Sequence, residues 1–183
     1  MMISNEQLVL ILNKHKLWLE GQKDGERANL SYANLRHADL SEADLSYVDL
    51  SYADLGEADL RHTDLSGANG LLNTINYLEA NFDRTDEGYI VYKSFGMYYT
   101  VPDNWNIKKG SIIEENVNSN RADICGCGIN VATKEWIKNE KPQIKKVWKL
   151  LIKWEWLAGV VVPYNTNGKI RCERAMLLEE VEI

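Results

Sequence analysis

Residues 28–67 read ANLSY, ANLRH, ADLSE, ADLSY, VDLSY, ADLGE, ADLRH and TDLSG, units of five that follow one another without a break. Leucine returns at Leu30, Leu35, Leu40, Leu45, Leu50, Leu55, Leu60 and Leu65. Two positions before each stands a compact residue: Ala28, Ala33, Ala38, Ala43, Val48, Ala53, Ala58 and Thr63. Asn or Asp lies between them every time. A repeat this regular sets the architecture before any other feature is read. On an α-helix, residues five apart lie about 140° apart around the axis, which spreads the leucines over the whole surface. On a strand, the same spacing sends successive leucines to opposite faces. A chain that turns after every unit keeps each leucine inside. It puts Asn, Asp, Ser and Gly at the corners, where their side chains bond local backbone.

The pattern resembles the pentapeptide-repeat family, whose motif is a small residue, Asp or Asn, Leu or Phe, then two variable positions. The resemblance covers residues 28–69. It implies a right-handed quadrilateral β-helix with four units to the turn, so that 28–47 is one coil and 48–67 the next. That register predicts three neighbour pairs: Tyr32 beside Tyr52, His37 beside Glu57, and Glu42 beside His62.

Outward from the repeat, Ser4–Glu20 reads as a helix. Ser4 and Gln7 form a capping-box signature, and Gly21 sits just past the end. Such a helix is suited to cover the first coil, which otherwise exposes unpaired backbone. Beyond Asn69 the repeat stops, and 71–86 reads as an irregular connection. Strands are expected at Tyr89–Phe95, Met97–Val101, Ile107–Glu115, Lys146–Trp156 and Gly159–Pro163. A short helix capped by Thr133 is expected over Thr133–Asn139. In Lys146–Trp156 the alternation sets Trp148, Leu150, Ile152, Trp154 and Trp156 on a core face. Tyr164–Gly168 is a turn, and Lys169–Ile183 a last strand with a break near Arg174–Ala175. Val160–Val162 is expected to pair with Ile170–Cys172. The fold expected is therefore mainly β: a short β-helix of about two coils with an N-terminal helical cap, then a mainly-β (α+β) domain. The segments are 1–27, 28–70, a linker at 71–87, and 88–183.

A second resemblance rests on CGCGINVAT (Cys125–Thr133), Trp136 and WLAGVVVPYNTNGKIRC (Trp156–Cys172). These stretches are similar to a domain that recurs behind pentapeptide repeats in phage and prophage proteins. The resemblance implies a phage-type setting and no particular chemistry.

The formal net charge of the 183 residues is −6, and all of it falls in the repeat. There Asp39, Glu42, Asp44, Asp49, Asp54, Glu57, Asp59 and Asp64 stand against Arg36 and Arg61. No apolar run is long enough to span a membrane. Three cysteines, an odd number, suit a reducing cytoplasm rather than a disulfide framework.

No catalytic residue, cofactor or metal ligand is assigned. Cys125, Cys127 and Cys172 fall short of the four ligands of a structural zinc site. All the histidines, His15, His37 and His62, lie far from them in sequence. Lys138, Lys141, Lys145, Lys146, Lys149 and Lys153 interleave with tryptophans and read as a solvated strand face rather than a nucleic-acid stripe. Longer members of the pentapeptide-repeat family resemble duplex DNA in shape and charge and bind DNA-handling enzymes. Carried over, that implies an acidic surface formed by the eight named carboxylates. Its partner would be a protein, such as a host topoisomerase or CRISPR effector, and neither nucleic acid nor a membrane. Two coils span about 10 Å, a length over which duplex DNA carries about six charges. The opposing reading makes the repeat a spacer or oligomerisation element, with Tyr32, Tyr47 and Tyr52 as an association surface. The 88–183 domain then does the work, and an enzyme built at Cys125–Asn130 with Arg121 and Asp123 is its least favoured form.

Overall fold

The computed structural model describes residues 3–96 and 100–183, which divide into two compact units. The first comprises Met1–Leu72 together with Tyr164–Thr166; the second comprises Asn73–Pro163 and Asn167–Ile183.

In the first unit, helix α1 (Asn5–Leu19) opens with the expected capping box: Ser4 and Gln7 exchange side-chain-to-backbone hydrogen bonds. The repeat follows as isolated parallel bridges between residues twenty apart: Asn29 with Asp49, Asn34 with Asp54, Asp39 with Asp59, Asp44 with Asp64, and Asp49 with Asn69. Each bridge is a pair of backbone bonds, as where Leu35 N donates to Asp54 O at 2.8 Å and Asp54 N to Ala33 O at 2.9 Å. Leu30 through Leu60 are all buried, and Leu65, in the last unit, is partly so.

Between bridges the chain turns. The residue after each compact position's leucine-plus-two step closes the turn: Ala33 N bonds Leu30 O, Ala38 N bonds Leu35 O, and so on to Ala68 N and Leu65 O. The third residue of each turn is left-handed: Tyr32, His37, Glu42, Tyr47, Tyr52, Glu57 and His62 have φ between 56° and 63°. Type II turns demand positive φ there, and glycine normally supplies it. Only Gly67 does so here.

The open backbone at both ends of the stack is met by side chains. His15 is fully buried. Its Nδ1 accepts from Ala28 N at 3.2 Å, which leaves the proton on Nε2 to donate to Ser46 O at 3.0 Å. At the other end Glu57 N and Ala58 O find their partners outside the repeat. Asn165 accepts from Glu57 N through its backbone oxygen at 3.0 Å and donates its side-chain amide to Ala58 O at 2.6 Å. One asparagine thus serves both groups, and it is itself buried.

The second unit holds one seven-stranded sheet whose pairings are all antiparallel. Its strands are β1 (Gly88–Lys93), β2 (Ile112–Glu114), β3 (Ile129–Ala132), β4 (Lys146–Lys153), β5 (Val160–Val161), β6 (Lys169–Cys172) and β7 (Arg174–Glu182), in the order β2-β7-β4-β1-β3-β6-β5. Val160 faces Cys172 and Val161 faces Arg171, the expected hairpin. The break before β7 falls at Glu173. Helix α3 (Lys134–Glu140) is capped by Thr133, whose hydroxyl accepts from Trp136 N.

Five expectations are corrected, the last in part. Residues 71–87 are not an irregular linker: Asn73 caps helix α2 (Thr74–Asn81), whose Leu78 is fully buried, and Phe82 just past its end is buried too. The strand begun at Lys146 ends at Lys153, and Trp154–Gly159 is a 3₁₀ turn. Trp154 leaves the sheet because its backbone N–H bonds Glu87 O and its indole N–H bonds Asp86 O. The tryptophans are not the core face either. Val147, Leu150, Leu151 and Ile152 are buried, so β4 is covered on both sides. Val147 packs with Ala132, Ile137 and Ile144 under α3. The strand expected at Ile107–Glu115 is confined to Ile112–Glu114. Of the strand expected at Met97–Val101, residues 97–99 lie outside the described residues, and Thr100 and Val101 are not in a strand. Among the described residues no helix is long and apolar enough to cross a membrane.

Candidate functional site

Each aspartate of the repeat performs the same local task. Its Oδ1 accepts from the backbone N–H two residues on: Asp39 from Ser41 at 3.1 Å, Asp44 from Ser46 at 3.0 Å, Asp49 from Ser51 at 2.9 Å, Asp54 from Gly56 at 2.9 Å, Asp59 from Arg61 at 3.1 Å, and Asp64 from Ser66 at 2.8 Å. These are Asx turns. Asn29 and Asn34 make the same bond to Ser31 and Arg36 at 3.0 and 3.1 Å. An amide oxygen makes the same turn bond as a carboxylate does, so the turn does not require the negative charge.

The eight acids are not equivalent. Arg36 reaches Glu57 at 2.9 Å and Asp54 at 3.7 Å, and His37 lies 3.6 Å from Glu57. Arg61 chelates Asp59, with its shortest contact at 2.6 Å. Asp49 is only partly exposed and feels the field of Arg27, as Asp39 feels that of Arg61. That leaves Asp39, Glu42, Asp44 and Asp64, all exposed, with no ion pair among the described residues. They occupy two consecutive edges and the corner between them, because Asp44 and Asp64 are bridged and Asp39 lies one unit earlier.

The predicted neighbours divide in the same way. Tyr32 and Tyr52 stack with centroids 4.9 Å apart at 13°. His37 meets Glu57. Glu42 and His62 share the register, since Glu42 N bonds Arg61 O, without forming an ion pair. Tyr32, Tyr47 and Tyr52 are exposed.

Hydrogen bonds to the charged form hold several carboxyls below the ordinary range. The Ser41 hydroxyl and backbone do so for Asp39, Ser51 for Asp49, Ser66 for Asp64, and the Arg61 side chain for Asp59, which falls to about 2. A carboxyl depressed in the folded state contributes stability above its unfolded value, near 4 for Asp, and loses it as pH falls through the folded value. The first unit should therefore lose hydrogen-exchange protection at Leu30, Leu35 and Leu40 as pH is lowered from about 4 to about 2. Asp39→Asn, Asp49→Asn and Asp64→Asn combined should flatten that acid limb. An unchanged acid profile in the triple variant would contradict this account.

The second unit brings together groups the sequence left apart. Arg171 on β6 is fully buried. It donates to the backbone oxygens of Asp123 at 2.6 Å, Asn118 at 3.0 Å and Asn120 at 2.8 Å. Asn118 and Asn120 in turn donate to the Asp123 carboxylate, each at 3.1 Å. Arg121, grouped in the sequence with the cysteines, bonds Val162 O at 2.7 Å. Lys93 on β1 bonds Asn130 O at 3.0 Å, and burial pulls its ammonium down to about 8. Nothing in the sequence marked Arg171 or Lys93; each sits in a short strand whose alternation looks ordinary. Of the lysine run, Lys146 and Lys149 lie within 4 Å of Glu180 and Glu179 on β7, as a solvated ion-pair face does.

Compared with known proteins, residues 26–61 match the pentapeptide-repeat family in eight copies. No curated protein and no solved structure matched.

Proposed function

We propose that this is a non-enzymatic, macromolecule-binding protein whose first unit offers an acidic surface in place of a nucleic-acid backbone. In this reading the repeat is a short right-handed quadrilateral β-helix of about two coils. The setting is a phage or prophage acting in a host cytoplasm, and the partner is a basic, nucleic-acid-handling host enzyme of the topoisomerase or CRISPR-effector kind. The observation that carries the reading is the surplus of charge. Asn29 and Asn34 make the same turn bonds as the aspartates, yet six of the turn positions are Asp and four acids stand exposed with no ion pair among the described residues.

The competing reading, a structural spacer or oligomerisation element, draws on the same turns, since every aspartate has one oxygen committed to backbone. One variant separates the two. Asp39→Asn, Asp44→Asn and Asp64→Asn keep every Asx turn and remove three charges from the unpaired set. Binding of the full chain to purified topoisomerase and effector nuclease is measured in about 50 and about 300 mM salt, across which surface electrostatics are progressively screened. A charge-reading surface gives a salt-sensitive complex that the triple variant loses and that Asp54→Asn, at a residue already paired to Arg36, keeps. A complex indifferent to both salt and variant belongs to the spacer reading. No complex with either enzyme class overturns the proposal.

A further inference from the structure

Cys125 and Cys127 are both exposed and in no disulfide, while Cys172 is buried. The glycines beside them are set by close packing: a Cβ on Gly126 would meet Asn118 Nδ2 at 3.0 Å, and one on Gly128 would meet Val117 Cγ2 at 2.9 Å. Asn130 fastens the loop by donating its amide to Gly126 O at 3.2 Å and Gly128 O at 3.1 Å. Across from this loop, Lys169 on β6 places its ammonium 2.7 Å from Cys125 Sγ. Arg171, two residues along the same strand, is close enough to feel charge on Cys125. Reactive cysteines are found in exposed, electropositive surroundings of this kind, and inert ones in apolar burial. Cys172 is the inert case, its thiol pushed up to about 12 by burial.

We propose that Cys125 is a thiol-modification site for small anionic disulfides, with Cys127 as its resolving thiol. Among the described residues no group of three or more His, Cys, Asp and Glu is placed to hold a metal ion. Two thiols and two cations are a donor set for sulfur exchange rather than for a closed tetrahedral site. The Cys125 thiolate attacks one sulfur of the incoming disulfide. A new S–S bond joins Cys125 to that half, the old S–S bond breaks, and the other half leaves as a thiolate that takes a proton from water. Cys127 then attacks Cys125 Sγ, and the second half leaves in the same way. The two protein thiols are oxidised to one disulfide, and the incoming disulfide is reduced to two thiols. Residues two apart span at most about 7 Å of chain, at the limit of the Cα separation that a disulfide bridges. Lys169 attracts the anionic reactant and lies beside the sulfur on which charge moves.

The test uses the reduced full chain and glutathione disulfide, followed by intact mass and peptide mapping after acid quench. The expected product is a Cys125–Cys127 disulfide. Cys127→Ser should stop the reaction at one glutathionyl group on Cys125, and Cys125→Ser should react many-fold more slowly. Lys169→Met should slow the first step several-fold and remove most of its salt dependence, with Lys169→Arg restoring both. Circular dichroism checks that each variant is folded. Independently of any substitution, the unaltered protein should react faster with glutathione disulfide than with the cationic disulfide cystamine. Glutathionylation at Cys127 or Cys172 ahead of Cys125, an equal rate in Lys169→Met, or a preference for cystamine would each overturn the proposal.

Discussion

Replacing Arg171 with Met should destabilise the second unit by about 2–3 kcal/mol, since each carbonyl left unpaired away from water costs roughly 1–3 kcal/mol and these are only partly buried. Arg171 holds three of them, on Asn118, Asn120 and Asp123. Removing the charge recovers part of its desolvation cost, and Asn120 is exposed enough for water to reach it. Those two effects keep the expected loss below the full sum. Lysine at the same position keeps the charge but not the planar fork that serves several acceptors at once. Arg171→Lys should therefore lie between the parent and Arg171→Met. Five of the six tryptophans, Trp105, Trp136, Trp148, Trp154 and Trp156, belong to the second unit. Denaturant unfolding followed by tryptophan fluorescence therefore reads mainly that unit. A midpoint in Arg171→Met equal to the parent's would mean that the 118–123 segment finds other partners and that the arginine is dispensable.

Arg171 also marks where reading the sequence stops. The repeat was legible because its period admits one kind of burial, and Leu30 through Leu60 are inside. The Ser4–Gln7 box, the Thr133 cap and the Val160–Cys172 hairpin were legible because each is a local rule satisfied by residues close in sequence. The left-handed turn positions were hidden. Tyr, His and Glu do not advertise positive φ, and Gly67 alone carries the signal. Helix α2 carries a local signal too, an Asn73 cap followed by Leu78 and Phe82 four apart, but one too short to outweigh the polar residues around it. Trp154-Glu155-Trp156 misled because alternation in a three-residue stretch fits a strand and a turn equally well. Only backbone acceptors far away in the chain, on Asp86 and Glu87, decided between them. For the acidic surface the eight residues were all identifiable, but their inequality was not. Which acids Arg36 and Arg61 neutralise depends on which corners the chain stacks together. Reading Arg36 against Glu57 would have required extending the twenty-residue register to side chains one position off it.

Leu50→Ala should be the most damaging change in the first unit, at about 2–5 kcal/mol for emptying a closed leucine site. Leu50 is 1% exposed, its N–H bonds Asn69 O, and its carbonyl closes the turn to Ala53 N. Its side chain cannot be replaced by collapse of the neighbours, because each is held by a turn whose third residue is already in an unfavourable backbone region. A left-handed non-glycine residue costs about 1–2 kcal/mol, and the leucine that follows each turn is what makes that conformation worth adopting. Leu65→Ala is the internal comparison. The same side chain is lost from the last unit, where the leucine is only partly buried, so the expected cost is well under that of Leu50→Ala. The measurement is hydrogen exchange at Leu30, Leu35, Leu40, Leu45 and Leu50, the amides bonded to carbonyls nineteen residues on. Leu50→Ala should lower protection at all five together, since bridges on one stack open as a unit. Leu65→Ala should lower it chiefly at Leu45, whose acceptor is Asp64 O. The Asp→Asn variants, by contrast, should lower protection at neutral pH only slightly and far less than Leu50→Ala, because an amide oxygen still accepts the turn bond and only the extra contribution of the charged form is lost. Equal losses from Leu50→Ala and Leu65→Ala would show that inward leucines do not hold the coil. A loss from Asp→Asn at neutral pH as large as that from Leu50→Ala would show that charge does.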